Sequence, residues 1–198
     1  MFDIMVDFKD FHKVENMHFN IPKLKKGLEE VLKIRNYDSA NGIPNFAAIC
    51  LNQIPGDPSS TKGNKARGIF WTKPDFTGQE VQRENFLDER QYTEFIEKYK
   101  GTYFEEIYNT LSKKYIIGRF RLLLLEPRTS LSWHRDPEPR LHIPILTNPG
   151  AHLVIDNRLK HLPADGNVWF TDTRKYHTVF NGGEENRIHL VATYLGER

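Results

Sequence analysis

The chain has 198 residues, the length of one domain at about 100–200 residues each, and its 12% of aromatic residues supply enough ring surface for a core, which excludes wholesale disorder. The 28 Lys and Arg residues nearly balance the 26 Asp and Glu residues, which excludes a protein held on nucleic acid by phosphate charge. The single cysteine, Cys50, excludes a disulfide framework and a cysteine-rich zinc site.

The N-terminal segment shows no sorting signal. Residues 1–17 lack a basic stretch followed by an apolar one, and no apolar run approaches the length of a membrane span. We therefore expect no membrane partner and a soluble cytoplasmic protein, in agreement with the lone thiol.

The first half of the chain predicts helices and loops. Residues 20–35 place Leu24, Leu28, Val31 and Leu32 on one face of a helix. Residues 36–85 are rich in loop-forming residues, including one long loop over 56–68, and two apolar islands at 46–51 and 68–71 predict short strands. Apolar spacing predicts two further helices, over 88–99 and 102–114.

From Tyr115 onward short β-type runs alternate with turn residues. Strands of four to eight residues at regular spacing are typical of an all-β sandwich or barrel, and helices that precede the strands argue against a parallel sheet. We predict a mainly β fold, a small antiparallel barrel or jelly roll with N-terminal helices packed on it. Residues 1–198 form a single domain in this interpretation, with helices and loops over 1–114 and the β core over 115–198.

Histidines concentrate in this β block, since six of the eight lie after residue 130. His134 and Asp136 are two residues apart and point to the same side of an extended strand, and His177 follows 41 residues after Asp136. Two imidazoles and one carboxylate can occupy one face of an octahedral metal ion, which is the ligand set of non-haem Fe(II) oxygenases. Arg187, ten residues after His177, could bind a carboxylate inside the barrel.

Each of these residues also has an ordinary structural interpretation. A lone His-x-Asp occurs by chance, Asp136 precedes Pro137 and could initiate a turn, and Arg187 could pair with Glu184 or Glu185 at the surface. The ordered arrangement of all four groups favours the metal site over these alternatives.

Residues 119–194 resemble the aspartyl/asparaginyl β-hydroxylase family of 2-oxoglutarate-dependent oxygenases. The shared features are His134, residues 140–145 (RLHIPI), residues 166–172 (GNVWFTD), His177, Asn181 and Arg187. The resemblance implies a double-stranded β-helix of cupin-like fold, Fe(II) and 2-oxoglutarate as cofactors, and hydroxylation of an amino-acid, peptide or protein side chain. By the same resemblance His134 and His177 bind iron, and Arg187 binds the distal carboxylate of 2-oxoglutarate. His142 contacts the other carboxylate end, and Arg140 reaches the co-substrate or an acidic group of the substrate.

The chain departs from the animal members of this family at one position. Those peptide hydroxylases have glycine in place of the carboxylate ligand, whereas Asp136 completes the triad here, as in bacterial members that resemble free-proline hydroxylases. The departure leaves the choice between a free amino acid and a peptide open. Arg187 stands where prolyl 4-hydroxylase-like enzymes have lysine, and Thr193 where nucleic-acid demethylases carry a second arginine, so we expect no nucleic-acid partner.

Substrate contacts are harder to place. Arg121, Asn52 and Trp71 are candidates, with Gln53 beside Asn52, although ordinary core and edge positions are the favoured explanation for the three N-terminal residues Asn52, Gln53 and Trp71. Arg119 and Arg121 share one face of a strand, where either could enter the barrel or lie at its exposed end.

The remaining aromatic residues and histidines receive structural assignments. We predict that Trp133 and Trp169 lie in the core and that His152, His161 and His189 are structural or surface residues.

Two other functions stay open beside the hydroxylase. One is a non-catalytic cupin-like module that binds metal or a small acid, and the other is a cupin dioxygenase or isomerase without 2-oxoglutarate, which would not need Arg187. O2 and a small-molecule, peptide or protein substrate are the expected partners of the hydroxylase, and the sequence does not specify the oligomeric state.

Overall fold

Antiparallel strands dominate the computed structural model, which describes residues 10–39 and 46–198. The α-helices are α1 (Ile21–Ile34), α2 (Gly63–Arg67) and α3 (Tyr103–Lys114), and 3₁₀ turns cover Pro58–Thr61, Glu89–Gln91 and Glu97–Tyr99. The strands are β1 (Phe11–His18), β2 (Asp38–Ser39), β3 (Phe46–Cys50), β4 (Asn52–Gln53), β5 (Thr72–Pro74), β6 (Glu80–Gln82), β7 (Glu94–Phe95), β8 (Tyr115–Leu125), β9 (Thr129–Ser130), β10 (Arg140–Leu146), β11 (Ala151–Ile155), β12 (Arg158–Lys160), β13 (Asn167–Thr171), β14 (His177–Asn181) and β15 (Arg187–Glu197).

Two sheets face each other and enclose the site. The larger has seven strands in the order β1-β13-β10-β15-β8-β3-β2, and the smaller has four in the order β12-β11-β14-β9. Leu123 and Val191 of the larger sheet pack with Leu153 and Val179 of the smaller one in a single buried cluster. The predicted mainly β, cupin-like jelly roll is confirmed, although in the described part of the chain the two sheets do not close into a barrel.

The opposite face of the large sheet carries the helices. Alternate residues of a strand point to opposite faces, so Leu122 of β8 packs toward Phe104 and Leu111 of α3 while its neighbour Leu123 faces the small sheet. The predicted helix over 20–35 is present as α1, whose N-terminus is capped by the Asn20 side chain accepting from the backbone N–H of Lys23 at 2.9 Å. The helices thereby stabilise one face of the sheet and leave the other for the site.

The predicted helix over 88–99 is wrong, whereas the one over 102–114 is present as α3. The first segment forms two 3₁₀ turns around the short strand β7 because its backbone finds partners elsewhere. The N–H of Ile96 donates to the carbonyl of Leu51 at 2.9 Å, and the carbonyl of Tyr92 accepts from the Asn52 side chain at 2.8 Å. These long-range bonds replace the i to i−4 bonds of a helix.

The loop-rich region also differs from expectation. Residues 46–51 hold strand β3 as predicted, but residues 68–71 form no strand, and pairing begins at Thr72 in the β5–β6 hairpin. The predicted loop over 56–68 contains helix α2, which ends at Gly68 with φ of 102°. Strands β1 and β3 join the large sheet, so the N-terminal part contributes strands as well as helices.

Two single-residue expectations have different outcomes. Trp169 is buried as predicted, but Trp133 is 54% exposed and lies outside the core. Cys50 is fully buried in a small cluster with Ala66 of α2 and Tyr92, and its Sγ lies 3.7 Å from the Ala66 carbonyl oxygen.

No helix in the described ranges, 10–39 and 46–198, is long and apolar enough to cross a membrane.

Candidate metal centre

Three side chains with metal-binding atoms converge between the two sheets. One donor atom from each of His134, Asp136 and His177 lies within 4.8 Å of the other two. The backbone produces this convergence: His134 and His177 form an antiparallel bridge with two N–H to O bonds of 3.0 and 2.8 Å. The N–H of Asp136 donates to the carbonyl of Thr173 at 2.8 Å, which fixes the loop two residues further on.

Backbone carbonyls set the tautomers of both imidazoles. Nδ1 of His134 lies 2.7 Å from the Ser132 carbonyl, and Nδ1 of His177 lies 3.0 Å from the Lys175 carbonyl. A carbonyl only accepts, so each Nδ1 carries the proton and each Nε2 keeps a lone pair for a metal ion. Burial lowers the pKa of His177 to about 4, so this ring is neutral near pH 7.

Asp136 is held in its ionised form. Burial raises the pKa of its carboxyl group, but Arg140, His177 and His134 outweigh that effect and leave the pKa below its usual value. Arg140 contributes the shortest contact, with Nη2 lying 3.2 Å from Oδ2 of Asp136. An ionised carboxylate and two imidazoles therefore make up the donor set.

A buried ion network continues from Arg140 to Glu89. Nη2 of Arg140 lies 3.2 Å from Oε2 of Glu89, and Arg119 and Arg121 also pair with this carboxylate. Thr193 of β15 donates a hydrogen bond to it. Burial raises the pKa of Glu89, but Arg119, Arg140 and Arg121 together hold it well below its usual range. Glu89 therefore links the first half of the chain to the β core by charge.

At the far end of the cavity Arg187 has a different environment. It is buried, and its Nη2 lies 2.9 Å from Nδ1 of His189, which lies 3.4 Å from Nδ1 of His142. No carboxylate pairs with Arg187 among the described residues, and burial lowers its pKa to about 9. Arg187 therefore remains charged near pH 7 and presents a buried positive charge to the cavity.

The cavity of about 100 Å³ joins these groups. His134, Asp136 and His177 line it together with His142, and so do five guanidinium groups, those of Arg67, Arg119, Arg121, Arg140 and Arg187. Two carboxylates, Asp136 and Glu89, line it as well. Positive side chains outnumber negative ones, which favours anionic ligands.

Two of the predicted substrate contacts lie away from this cavity. Asn52 is fully buried and donates to the carbonyls of Tyr92 and Gly118, while its Oδ1 accepts from the N–H of Phe120. Trp71 stacks under the Arg135 guanidinium, with the Arg135 Cζ 4.9 Å from the ring centroid. Neither lines the cavity, whereas the third candidate, Arg121, does.

Sequence reasoning missed several residues in or beside the cavity, among them Glu89 and His189. No local pattern marks Glu89, whose partner Thr193 is 104 residues away along the chain. His189 was assigned a structural or surface place, yet its spacing of two from Arg187 on a strand puts both side chains on one face and could have identified it.

Solved structures with the same fold include two bacterial proteins. An oxidoreductase of the 2OG-Fe(II) oxygenase family from Burkholderia pseudomallei superposes with a TM-score of 0.52 at 14% identity, over 93% of this chain and 84% of that chain. A prolyl-4-hydroxylase from Pseudomonas putida gives a TM-score of 0.51 at 9% identity, over 96% of this chain and 93% of that chain. At this identity the likeness concerns the fold alone.

Sequence comparison supplies the family. No curated protein matches the chain. The profile of the aspartyl/asparaginyl beta-hydroxylases matches residues 52–195, a range that contains His134, Asp136, His177 and Arg187. Because that match covers most of the chain and the fold agrees with it, the protein belongs to the aspartyl/asparaginyl β-hydroxylase family.

Proposed function

We propose that this protein is an Fe(II)- and 2-oxoglutarate-dependent dioxygenase that hydroxylates an amino-acid, peptide or protein side chain, with succinate and CO2 as co-products. The observation that carries the proposal is the pairing, in one cavity, of a His-Asp-His donor set with a buried arginine that has no carboxylate partner among the described residues. Family membership supports the same reaction class.

The donor set fits a divalent iron ion. His134 and His177 would each offer an Nε2 lone pair, and Asp136 would offer a carboxylate oxygen, the donor types that non-haem iron takes in oxygenases. Iron bound there with 2-oxoglutarate and O2 supplies the oxidising power to insert one oxygen atom into a C–H bond of the substrate.

The side chains of the protein would bind and orient the co-substrate and hold the metal ligands in place. Arg187 would bind the distal carboxylate of 2-oxoglutarate, and His142, which lines the same cavity, would contact its other end. Arg140 holds Asp136 through its 3.2 Å contact and so fixes the direction of the carboxylate ligand. Phe70 packs against His134 with ring centroids 4.7 Å apart and excludes water from that side of the centre.

The experiment is succinate release from 2-oxoglutarate under air with Fe(II) and ascorbate, with and without a panel of amino acids and peptides. We expect turnover in the wild type and its loss in His134→Ala and Asp136→Ala, because each variant removes a metal ligand. His12→Ala is the matched control, since this histidine is exposed on the outside of the large sheet and stacks on Phe170.

Arg187→Met tests the co-substrate assignment separately. We expect the KM for 2-oxoglutarate to rise about 100-fold, as for loss of a charge-assisted bidentate contact, while Mn(II) affinity is unchanged. Wild-type protein that binds Mn(II) but neither binds nor turns over 2-oxoglutarate would contradict the proposal and favour a metal-binding module.

A further inference from the structure

His189 is the neighbour that Arg187 has in place of a carboxylate. Both side chains come from β15, two residues apart, and both are at least 95% buried. Nη2 of Arg187 lies 2.9 Å from Nδ1 of His189. The guanidinium is therefore held by an imidazole deep in the space between the sheets.

Other arginines of the same cavity are paired differently. Arg119 and Arg140 contact the carboxylate of Glu89, and Arg140 also contacts Asp136. These contacts neutralise charge within the protein. The partner of Arg187 is an uncharged imidazole, which holds the guanidinium without neutralising it. The arginines paired with carboxylates therefore stabilise the fold, whereas Arg187 remains available to an anion.

The hydrogen-bond chemistry fixes the protonation of His189. A guanidinium only donates, so Nδ1 of His189 must accept and the ring proton must be on Nε2. Nε2 is buried and has no hydrogen-bond partner among the described residues. A buried N–H without a partner is destabilising. The ring is nevertheless oriented so that Nδ1 accepts from Arg187, which leaves the N–H at Nε2 without a partner.

His142 is the third residue in this series of contacts, after Arg187 and His189. Its Nδ1 lies 3.4 Å from the same Nδ1 of His189, so the two buried imidazoles are in contact. Burial, and next the charge of Arg187, hold the pKa of His189 well below its usual value. His189 is therefore a neutral acceptor near pH 7.

We propose that His189 is a positioning residue that fixes the Arg187 guanidinium through a neutral acceptor and leaves its positive charge for the distal carboxylate of the co-substrate. This inference rests on the proposed 2-oxoglutarate dependence and extends it to His189, which does not line the cavity.

Three variants separate orientation from charge. His189→Asn keeps an acceptor near the position of Nδ1, His189→Leu removes the acceptor, and His189→Asp adds a negative charge beside Arg187. The probe is isothermal titration of 2-oxoglutarate into Mn(II)-loaded protein without O2, compared with 2-oxobutyrate, which lacks the distal carboxylate.

We expect the dissociation constant for 2-oxoglutarate to stay within about threefold in the Asn variant and to rise about tenfold in the Leu variant, which loses one hydrogen bond to a charged group. The Asp variant should weaken binding at least about 100-fold, because its carboxylate competes with the ligand for Arg187. Binding of 2-oxobutyrate should be the same in all four proteins, and in an Arg187→Met background the Asp substitution should have no further effect.

A second measurement uses the protein without metal or co-substrate. Long-range ¹H–¹⁵N correlation spectra of the metal-free protein should show the His189 proton on Nε2 in the wild type and a change of that state in Arg187→Met. Thermal melting and Mn(II) titration verify that each variant is folded.

Different results would contradict the proposed co-substrate and the proposed role of His189. Failure of folded, Mn(II)-loaded wild-type protein to bind 2-oxoglutarate would contradict the proposed co-substrate itself. Wild-type binding that the Leu and Asp variants retain at full strength would overturn the role of His189 alone.

Discussion

Glu89 is a single buried carboxylate shared by three arginines, and its removal would leave Arg119 and Arg121 without a carboxylate partner among the described residues. It contacts Arg119, Arg121 and Arg140, which all line the cavity. Breaking a buried ion pair by removing one partner is costly, because the remaining charge stays in a medium that solvates it poorly. Glu89 is thus a stability determinant as well as part of the site.

We expect Glu89→Gln to lower the free energy of unfolding by about 3–5 kcal/mol, the range for removing one partner of a buried pair. Chemical denaturation at pH 7 measures it. Glu97→Gln is the matched control, since Glu97 makes an exposed pair with Lys100 and should change stability by less than about 1 kcal/mol. Equal effects of the two substitutions would contradict the assignment of the network.

The same substitution changes the acid limb of the stability profile. The folded-state pKa of Glu89 lies below its ordinary value of 4.5, so its contribution is fully present above about pH 4.5 and is lost as the pH falls toward the folded pKa. Unfolding free energy should therefore fall more steeply below pH 5 in the wild type than in Glu89→Gln. Parallel curves for the two proteins would show that this carboxylate is unperturbed.

At the residue scale the sequence predicts those site residues that are close together, or regularly spaced, along the chain. The metal-binding triad was found because His134 and Asp136 are spaced for one strand face and His177 and Arg187 follow in order along the β block. Glu89 and the three hydrogen bonds of Asn52 depend on contacts more than 25 residues apart, which no periodicity records.

At the scale of elements, residues 63–71 form a roof segment over one side of the cavity. Arg119 donates to the carbonyl of Lys65 at 2.7 Å, and Arg121 donates to the carbonyls of Ala66 and Arg67 at the end of α2. Cations at a helix C-terminus are favourable, so the two strand arginines anchor this short helix. Phe70 at the far end of the roof segment packs on His134.

Gly68 is the point at which the roof segment turns, and a side chain there should dislodge it. Its φ of 102° disfavours any L-residue, and an added Cβ would lie 2.8 Å from Nη2 of Arg119 and 3.2 Å from Nη1 of Arg121. We expect Gly68→Ala to destabilise by about 2–4 kcal/mol, combining backbone strain with displacement of two buried guanidiniums.

Gly78→Ala is the matched control for this substitution. Its φ of 83° is strained in the same sense, but nothing lies within 4 Å of the added Cβ. Comparing the two variants by urea unfolding therefore separates the clash with the arginines from the backbone strain. If Gly68→Ala lowers the free energy of unfolding no more than Gly78→Ala does, the roof segment adapts freely to the added side chain.

Elements with strong periodicity were predicted correctly, namely α1, α3 and the strands from Tyr115 onward. The spacing of Phe95, Ile96 and Tyr99 predicts a helix over 88–99, yet Phe95 lies in strand β7, and Ile96 directly precedes and Tyr99 ends the 3₁₀ turn that follows it. Similarly, Trp133 is exposed because the loop before His134 directs the metal-binding side chains inward.

For the whole molecule, the near-neutral net charge of +2 hides a strong separation of charge. Five arginines line one small cavity together with only two carboxylates, those of Glu89 and Asp136. A cationic interior of this kind attracts small carboxylates without giving the surface an overall positive field. The absence of nucleic-acid partners and a cytoplasmic location stay predictions from the sequence.

Ligands that bind the folded state should stabilise the whole chain. At a free Mn(II) concentration 100-fold above its dissociation constant, the gain in unfolding free energy is about 2.7 kcal/mol, and 2-oxoglutarate should add to it. Differential scanning calorimetry should show the shift in the wild type and in Arg187→Met, but not in Asp136→Ala. A shift of the same size in Asp136→Ala would place the bound metal elsewhere.

The burial of Cys50 gives the protein an internal reporter of its own motion. This thiol belongs to the last residue of strand β3 and packs against Ala66 of the roof segment and Tyr92, with no exposed surface, and burial raises its pKa. A thiol reagent can reach it only when its packing against Ala66 and Tyr92 opens, so the labelling rate under native conditions measures how often this small cluster opens. The wild-type sequence thus permits opening to be timed directly, with no engineered cysteine and with a single site of modification.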